Sequence, residues 1–148
     1  MSRRPEIAHK KPPEILADLL DGHRSASLSG PLQARKYLER SIDKHHSMPN
    51  GVKFFLYDLL AEAAAQTDAP EVRDNAVQQA FTYLPFAQTD LQRQHKEWLP
   101  SIRCFLVAID AALDEGQFED ALRLAEEAVA LGLGKVYEQK AESIRWMM

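Results

Sequence analysis

The chain has 148 residues, of which 45% are hydrophobic and 27% are charged, so it is long and apolar enough to form one packed domain. Its net charge is −4, and because residues 1–12 are basic, the body that follows is more acidic than the whole chain, which weighs against nucleic-acid binding. The single cysteine, Cys104, excludes an intramolecular disulfide, and its apolar neighbours predict a buried thiol.

Residues 1–12 predict a flexible basic arm that precedes a single helical domain over residues 13–148. The arm contains one acidic and four basic side chains: Glu6, Arg3, Arg4, Lys10 and Lys11. A solvated terminus explains such an arm more simply than a binding role does. Because no secretion signal and no run of 18 apolar residues is present, we expect a cytoplasmic protein of bacterial type with no membrane partner.

Glycine and proline residues separate seven stretches of helical periodicity, which predict seven helices. The first covers about residues 13–21 and ends before Gly22. The second covers about 31–46 and follows Ser29, whose side chain we expect to cap it. The third covers about 51–66 and has the strongest apolar period in the first half of the chain, so we expect it to be well buried.

The fourth predicted helix, about 70–84, has a complete start signal. Asp68 stands at the predicted cap position, and Pro70 lies in the first turn. Glu71 follows three residues after the cap, as in a capping box. Pro85 is expected to end this helix because it cannot continue the hydrogen-bond ladder.

The fifth predicted helix runs from about 89 to 115 and contains Pro100, so we expect a kink or break near Trp98 and Leu99. The sixth follows Gly116, and the seventh covers the C-terminal stretch from about residue 135. No segment alternates with the period of two that a half-buried strand requires. The sequence therefore predicts an all-α fold of about seven helices.

The stretch EGQFEDALRLAEEAVALGLG, residues 115–134, predicts the second helix of an antiparallel hairpin. Gly116 provides the tight turn from the preceding helix, and charged residues cover the outer face of the helix. Small side chains on the inner face allow a neighbouring helix to approach closely. This inner face is formed by Phe118, Ala121, Leu122, Ala125, Ala128 and Val129.

Over residues 115–131 the stretch resembles the second half of a tetratricopeptide repeat, in which a glycine, an aromatic residue and small residues recur at fixed spacing. The matching positions are Gly116, Phe118, Ala121, Ala125 and Ala128. Elsewhere the chain departs from the pattern, because helices that start near 30, 70 and 117 are about 40 and 47 residues apart instead of 34. The resemblance therefore covers one half-repeat, with divergent hairpins around it.

The resemblance implies a right-handed superhelix of hairpins whose concave face holds a protein segment, as in an adaptor or a chaperone. The first helix of each hairpin would line that face. We expect Lys53, Tyr57, Arg103 and Asp110 to be partner-binding positions. The alternative is a compact helical bundle, in which the alanine face serves packing alone.

Two further functions remain open. The same stretch is also similar over about 22 residues to the small terminase subunit of tailed phages, which would imply a DNA-packaging role with salt-sensitive binding. A structural subunit of a larger assembly is the other possibility. The apolar C-terminal end with Trp146, Met147 and Met148 either docks on the sixth helix, which we favour, or stays exposed and allows a homodimer through the last helix.

No pattern predicts catalysis or a cofactor, so we expect a protein that is not an enzyme. The chain has no phosphate-binding loop, dinucleotide fingerprint, zinc-helix motif or nucleophile elbow. Asp43 and His46 share a helical face, but two ligands at this spacing are typical of a solvated helix end, so we expect no metal site.

Overall fold

A computed structural model describes residues 12–45, 47–90 and 102–148 of the chain. This part forms seven α-helices and no strand, which confirms the predicted all-α fold. None of its helices is both long and apolar enough to cross a membrane. The helices are α1 (Pro12–Ser27), α2 (Pro31–Lys44), α3 (Asn50–Gln66), α4 (Pro70–Asp90), α5 (Cys104–Asp114), α6 (Phe118–Ala130) and α7 (Lys135–Met147).

Helix α3 is the centre of the core, as its apolar sequence predicts. It packs against α1, α2, α4 and α5, and it is buried at most of its positions. A helix that is apolar on nearly every face is stable only when neighbours cover it from several sides. Val52, Phe54 and Leu56 are fully buried; Val52 and Leu56 lie one turn apart on one face of the helix, and Phe54 lies on nearly the opposite face.

The remaining helices extend this core along the chain. Each helix packs on the next one along the chain. This includes α4 and α5, although the segment that connects them lies outside the described residues. Additional contacts join α1 to α3 and α3 to α5, so that the first helices of successive hairpins lie beside one another. Helix α7 packs on α6 and completes the described part of the chain.

Glycines in left-handed conformation end two helices where the sequence predicts. Gly116 has φ of 73°, and Gly132 has φ of 74°. The residue after each glycine closes the last turn of the helix with its backbone N–H. Gln117 donates to the Ala112 carbonyl, and Leu133 donates to the Ala128 carbonyl. These bonds satisfy carbonyl groups that a helix end leaves unpaired.

Gly22 does not end the first helix as predicted, because α1 continues through it to Ser27. The glycine is required by packing instead. The Tyr37 side chain lies where a Cβ atom of residue 22 would be, and its hydroxyl donates to the Leu19 carbonyl at 3.1 Å. Gly22 thus lets α2 approach α1 closely.

Two predicted helix caps are wrong. Ser29 does not cap α2, because Gly30 directly precedes that helix, with φ of 114°, and no side chain makes a cap there. Asp68 serves the end of α3 instead of the start of α4: it has a left-handed φ of 54°, and the next N–H, that of Ala69, donates to the Ala64 carbonyl at 3.0 Å. Aspartate is one of the few residues that tolerates this conformation.

The boundaries of the fourth and fifth predicted helices also differ. Helix α4 runs through Pro85 to Asp90, because Leu84 and Ala87 are both buried on the core side and hold the helix across the proline. Helix α5 begins only at Cys104 instead of near residue 89. The predicted break near Trp98 and Leu99 lies outside the described residues.

Candidate binding groove

Asp58 of α3 positions the N-terminus of α5. Its Oδ1 and Oδ2 atoms each accept a hydrogen bond from the backbone N–H of Arg103 at 3.0 Å, and Oδ1 also accepts one from the N–H of Cys104 at 2.7 Å. Arg103, the residue before α5, makes no side-chain cap. The first amide groups of α5 are therefore satisfied by a carboxylate from another helix.

The Asp58 carboxyl is 2% exposed, and burial raises its pKa to about 6, although the backbone N–H groups of Arg103 and Cys104 act in the opposite direction. Burial also raises the pKa of the Cys104 thiol, which hydrogen bonds with Asp58. The Cys104 side chain is buried, as its apolar neighbours in the sequence predict.

Tyr137 of α7 fixes the same junction from the other side. Its hydroxyl donates to the Ile102 carbonyl at 3.1 Å, and its ring contacts Phe105 edge-on at 6.3 Å between centroids. Three helices thus meet at the first turn of α5. This arrangement determines which side chains of α5 face solvent.

A groove runs across α1, α3 and α5, and we name it the first-helix groove. It consists of two adjoining pockets of about 140 and 330 Å³, which share Glu62 and Gln66 of α3. The residues that line the groove include His23, Ser27, Leu59, Glu62, Gln66, Arg73, Arg103, Val107, Asp110 and Asp114.

Charged side chains link the successive helices of the first-helix groove. Burial lowers the pKa of His23 on α1, while the charge of Glu62 on α3 opposes this effect. Glu62 pairs with Arg103, the residue before α5, and its Oε2 atom lies 3.3 Å from the Arg103 Nε. Asp110 of α5 accepts a hydrogen bond from Lys140 of α7 at 3.1 Å. Polar groups of both signs are therefore available to a ligand along the groove.

The structure separates the four predicted partner-binding residues into two pairs. Arg103 and Asp110 line the first-helix groove. Lys53 and Tyr57 instead contact Tyr83 of α4: the two tyrosine rings are nearly parallel with centroids 6.0 Å apart, and the Lys53 Nζ lies 5.5 Å from the Tyr83 centroid. On α3, Tyr57 and Glu62 point about 140° apart, so they cannot face the same groove.

Glu62 and Gln66 are groove residues that sequence reasoning missed. They lie one turn apart on α3 and interrupt its apolar surface with a polar face. That interruption is a usable signal, because a polar pair with helical spacing on an otherwise buried helix marks the side that remains open.

The inner face predicted for residues 115–134 packs as expected at its alanines, but Val129, which was assigned to the same face, is exposed instead. Ala121, Ala125 and Ala128 have no exposed surface, and the half-buried Phe118 packs against the same core. They join α6 to α5 on one side and to α7 on the other. These residues pack the hairpin together, and none of them lines the first-helix groove.

Comparison of the chain with protein-family models, with curated proteins and with solved structures finds no significant match. Within residues 12–45, 47–90 and 102–148, no group of three histidine, cysteine or acidic side chains is placed to hold a metal ion.

Proposed function

We propose that the protein is a non-catalytic interaction module, an adaptor or a chaperone-like protein, that binds a protein segment in the first-helix groove. The observation that carries this proposal is the continuity of polar side chains from α1 across α3 to α5 on one face. A peptide in such a groove is held by hydrogen bonds to its backbone and by charge contacts with its side chains.

The arrangement of hairpins supports the same proposal. First helices that lie side by side form an extended surface in stacked helical hairpins, and a gradual rotation between hairpins makes that surface concave. We propose a tetratricopeptide-like superhelix for this chain on that basis, with the groove on its concave side.

The charges of the first-helix groove favour a partner with basic side chains. Its lining contains the carboxylates of Glu62, Asp110 and Asp114 and the basic side chains of Arg73 and Arg103. Both arginines already pair with carboxylates, Arg103 with Glu62 and Arg73 with Asp74, and Asp110 pairs with Lys140. Within the described part of the chain, the side chains of Asp114 and Gln66 have no hydrogen-bond partner, so both side chains are available to a ligand. Electrostatic complementarity would then set the specificity and the rate of association.

Selection from a phage-displayed library of random peptides tests the proposal. We expect the wild type to enrich peptides that bind poorly to the double variant Gln66→Arg with Asp114→Arg. The control is Gln139→Arg with Glu138→Arg on the exposed side of α7, which adds the same charge outside the groove. Equal binding of the enriched peptides to both variants would contradict a role for the groove.

A DNA column tests the DNA-packaging alternative. An interaction module of this charge should flow through at low salt. Retention that weakens steeply as salt is raised would instead support the DNA-packaging role and overturn the proposed function.

A further inference from the structure

A second groove lies between α4 and α6 over α5, and we name it the α4–α6 groove. It is a pocket of about 390 Å³. Its apolar lining is formed by Val77, Phe81, Ala108, Ala111 and Leu124, all of them half-buried. It adjoins the first-helix groove only through Ala111, which lines both pockets.

Helix α5 forms the floor of the α4–α6 groove, and its sequence is predominantly apolar. In α5, only Asp110 and Asp114 are charged, and both lie on the side of the first-helix groove. On the other side, Ala108 and Ala111 have small side chains that leave the pocket open between α4 and α6. An apolar helix face that remains partly open is a preferred place for an apolar side chain of a ligand.

Acidic side chains surround this apolar floor. Asp74 lies on α4, Glu115 follows α5, and Asp120 lies in the first turn of α6. All three are exposed. Arg123 is the basic residue among the side chains that line the pocket, and its Nη2 atom lies 3.8 Å from the Asp120 Oδ1.

The charges on this rim remain predominantly negative after the local ion pairs are taken into account. Asp74 pairs with the neighbouring Arg73 at 2.9 Å, and Arg123 is shared between Asp120 and Glu127. Glu115 forms no ion pair within the described residues. Exposed pairs of this kind are weak, so a basic ligand can compete with them.

We propose that the α4–α6 groove binds a protein segment in which one or two large apolar side chains are flanked by lysine or arginine. The apolar side chains would contact Val77, Ala108 and Leu124, and the basic side chains would contact the carboxylates of the rim. This surface is separate from the first-helix groove, and its occupation does not depend on the function proposed for that groove.

The test uses a blocked hexapeptide with a leucine-phenylalanine core and two basic residues on each side. Its binding to the isotope-labelled full chain is followed by NMR titration at about 50 mM salt. We expect saturable shifts at the backbone amides of Val77, Ala108 and Leu124. A counterpart with glutamate in place of the basic residues should bind at least about tenfold more weakly.

A triple variant, Asp74→Asn with Glu115→Gln and Asp120→Asn, removes the negative rim. We expect it to weaken binding of the basic peptide at least about tenfold. The matched control is Glu71→Gln with Glu119→Gln and Glu138→Gln, which removes the same charge at exposed positions outside the pocket. The control should change the affinity less than about twofold.

The proposal is overturned if the peptide does not bind, if its shifts map elsewhere, or if the triple variant and the control bind it equally. The single variant Gln66→Arg separates this result from a failure of the proposed function, because residue 66 lines the first-helix groove and does not line the α4–α6 groove. That variant should leave hexapeptide binding intact even where it weakens binding of the selected peptides.

Discussion

Asp58 and Cys104 are 46 positions apart in the sequence, yet the carboxylate of one accepts a hydrogen bond from the backbone N–H of the other at 2.7 Å. The bond joins the middle of α3 to the first turn of α5. It gives α5 the N-terminal cap that its own flanking residues lack. Together with the hydrogen bond from Tyr137 to Ile102, this contact holds the start of α5 in place.

Replacement of Asp58 by alanine should destabilise the fold. The substitution leaves the N–H groups of Arg103 and Cys104 unpaired in a buried site, and we expect a loss of about 2 to 4 kcal/mol in the free energy of unfolding. Urea denaturation measures this loss. Glu62→Ala, one turn later on α3, removes only a partly exposed ion pair with Arg103 and should change stability by less than about 1 kcal/mol.

The raised pKa of Asp58 predicts an unusual dependence of stability on pH. The pKa is about 6 in the folded protein against an ordinary value of 3.8, so between these values the folded state binds the proton more tightly than the unfolded chain does. The stabilisation is fully present below about pH 4 and is lost as the pH rises through about 6. This direction is opposite to that of a carboxylate held by a salt bridge.

Comparison with Asp58→Asn isolates this effect, because asparagine does not titrate. The stability of the wild type relative to that variant should fall by about 2 kcal/mol between about pH 4.5 and pH 7.5. Urea denaturation of both proteins at each pH gives the difference. If the two stability profiles stay parallel, the Asp58 carboxyl titrates at its ordinary pKa.

Tyr137→Phe should act on the same junction as Asp58→Ala. Loss of the hydrogen bond to the buried Ile102 carbonyl is expected to reduce the free energy of unfolding by about 1 to 2 kcal/mol. Because both residues hold the start of α5, the double variant should lose less than the two single losses combined. Simple additivity in thermal or urea denaturation would mean that the two contacts are independent.

Gly22→Ala should destabilise the protein, although alanine is the better helix former in an open position. Its methyl group would overlap the Tyr37 hydroxyl and ring, and we expect a loss of about 1 to 3 kcal/mol. In a Tyr37→Ala background the same substitution should be neutral or stabilising. A loss of equal size in both backgrounds would exclude the contact with Tyr37 as the cause.

Gly116→Ala tests the turn between α5 and α6. No atom lies within 4 Å of the position of an added Cβ, so the effect comes from the left-handed φ of 73° alone. We expect a loss of about 1 kcal/mol for alanine and a smaller loss for asparagine, which tolerates this conformation. Equal unfolding temperatures for the alanine and asparagine variants would argue against backbone strain at this turn.

Glycine and proline residues predict the ends of helices correctly where the local backbone conformation alone requires them. The glycines at 116 and 132 end helices because no other residue adopts their conformation as readily. Gly22 and Pro85 carry the same residue types but lie inside helices. Their roles depend on Tyr37 and on the burial of Leu84 and Ala87, which belong to tertiary packing.

The candidate grooves were less predictable for the same reason. Arg103 and Asp110 were predicted from their position on a first helix, and they do line the first-helix groove. Lys53 and Tyr57 were chosen by the same reasoning but face Tyr83, because the orientation of α3 is set by packing on four helices. Periodicity reveals a polar face, but which neighbour covers that face is a property of the assembled fold.

The cap provided by Asp58 also bears on how the molecule unfolds. In a row of hairpins that contact only their neighbours, one end can open while the rest stays folded. The hydrogen bonds from Asp58 of α3 to the start of α5 oppose such partial opening, since separation of the two halves exchanges them for bonds to water and loses their net contribution, about 1.5 to 3 kcal/mol for a bond to a charged group. We therefore expect the two sets of helices, α1 to α4 and α5 to α7, to unfold together.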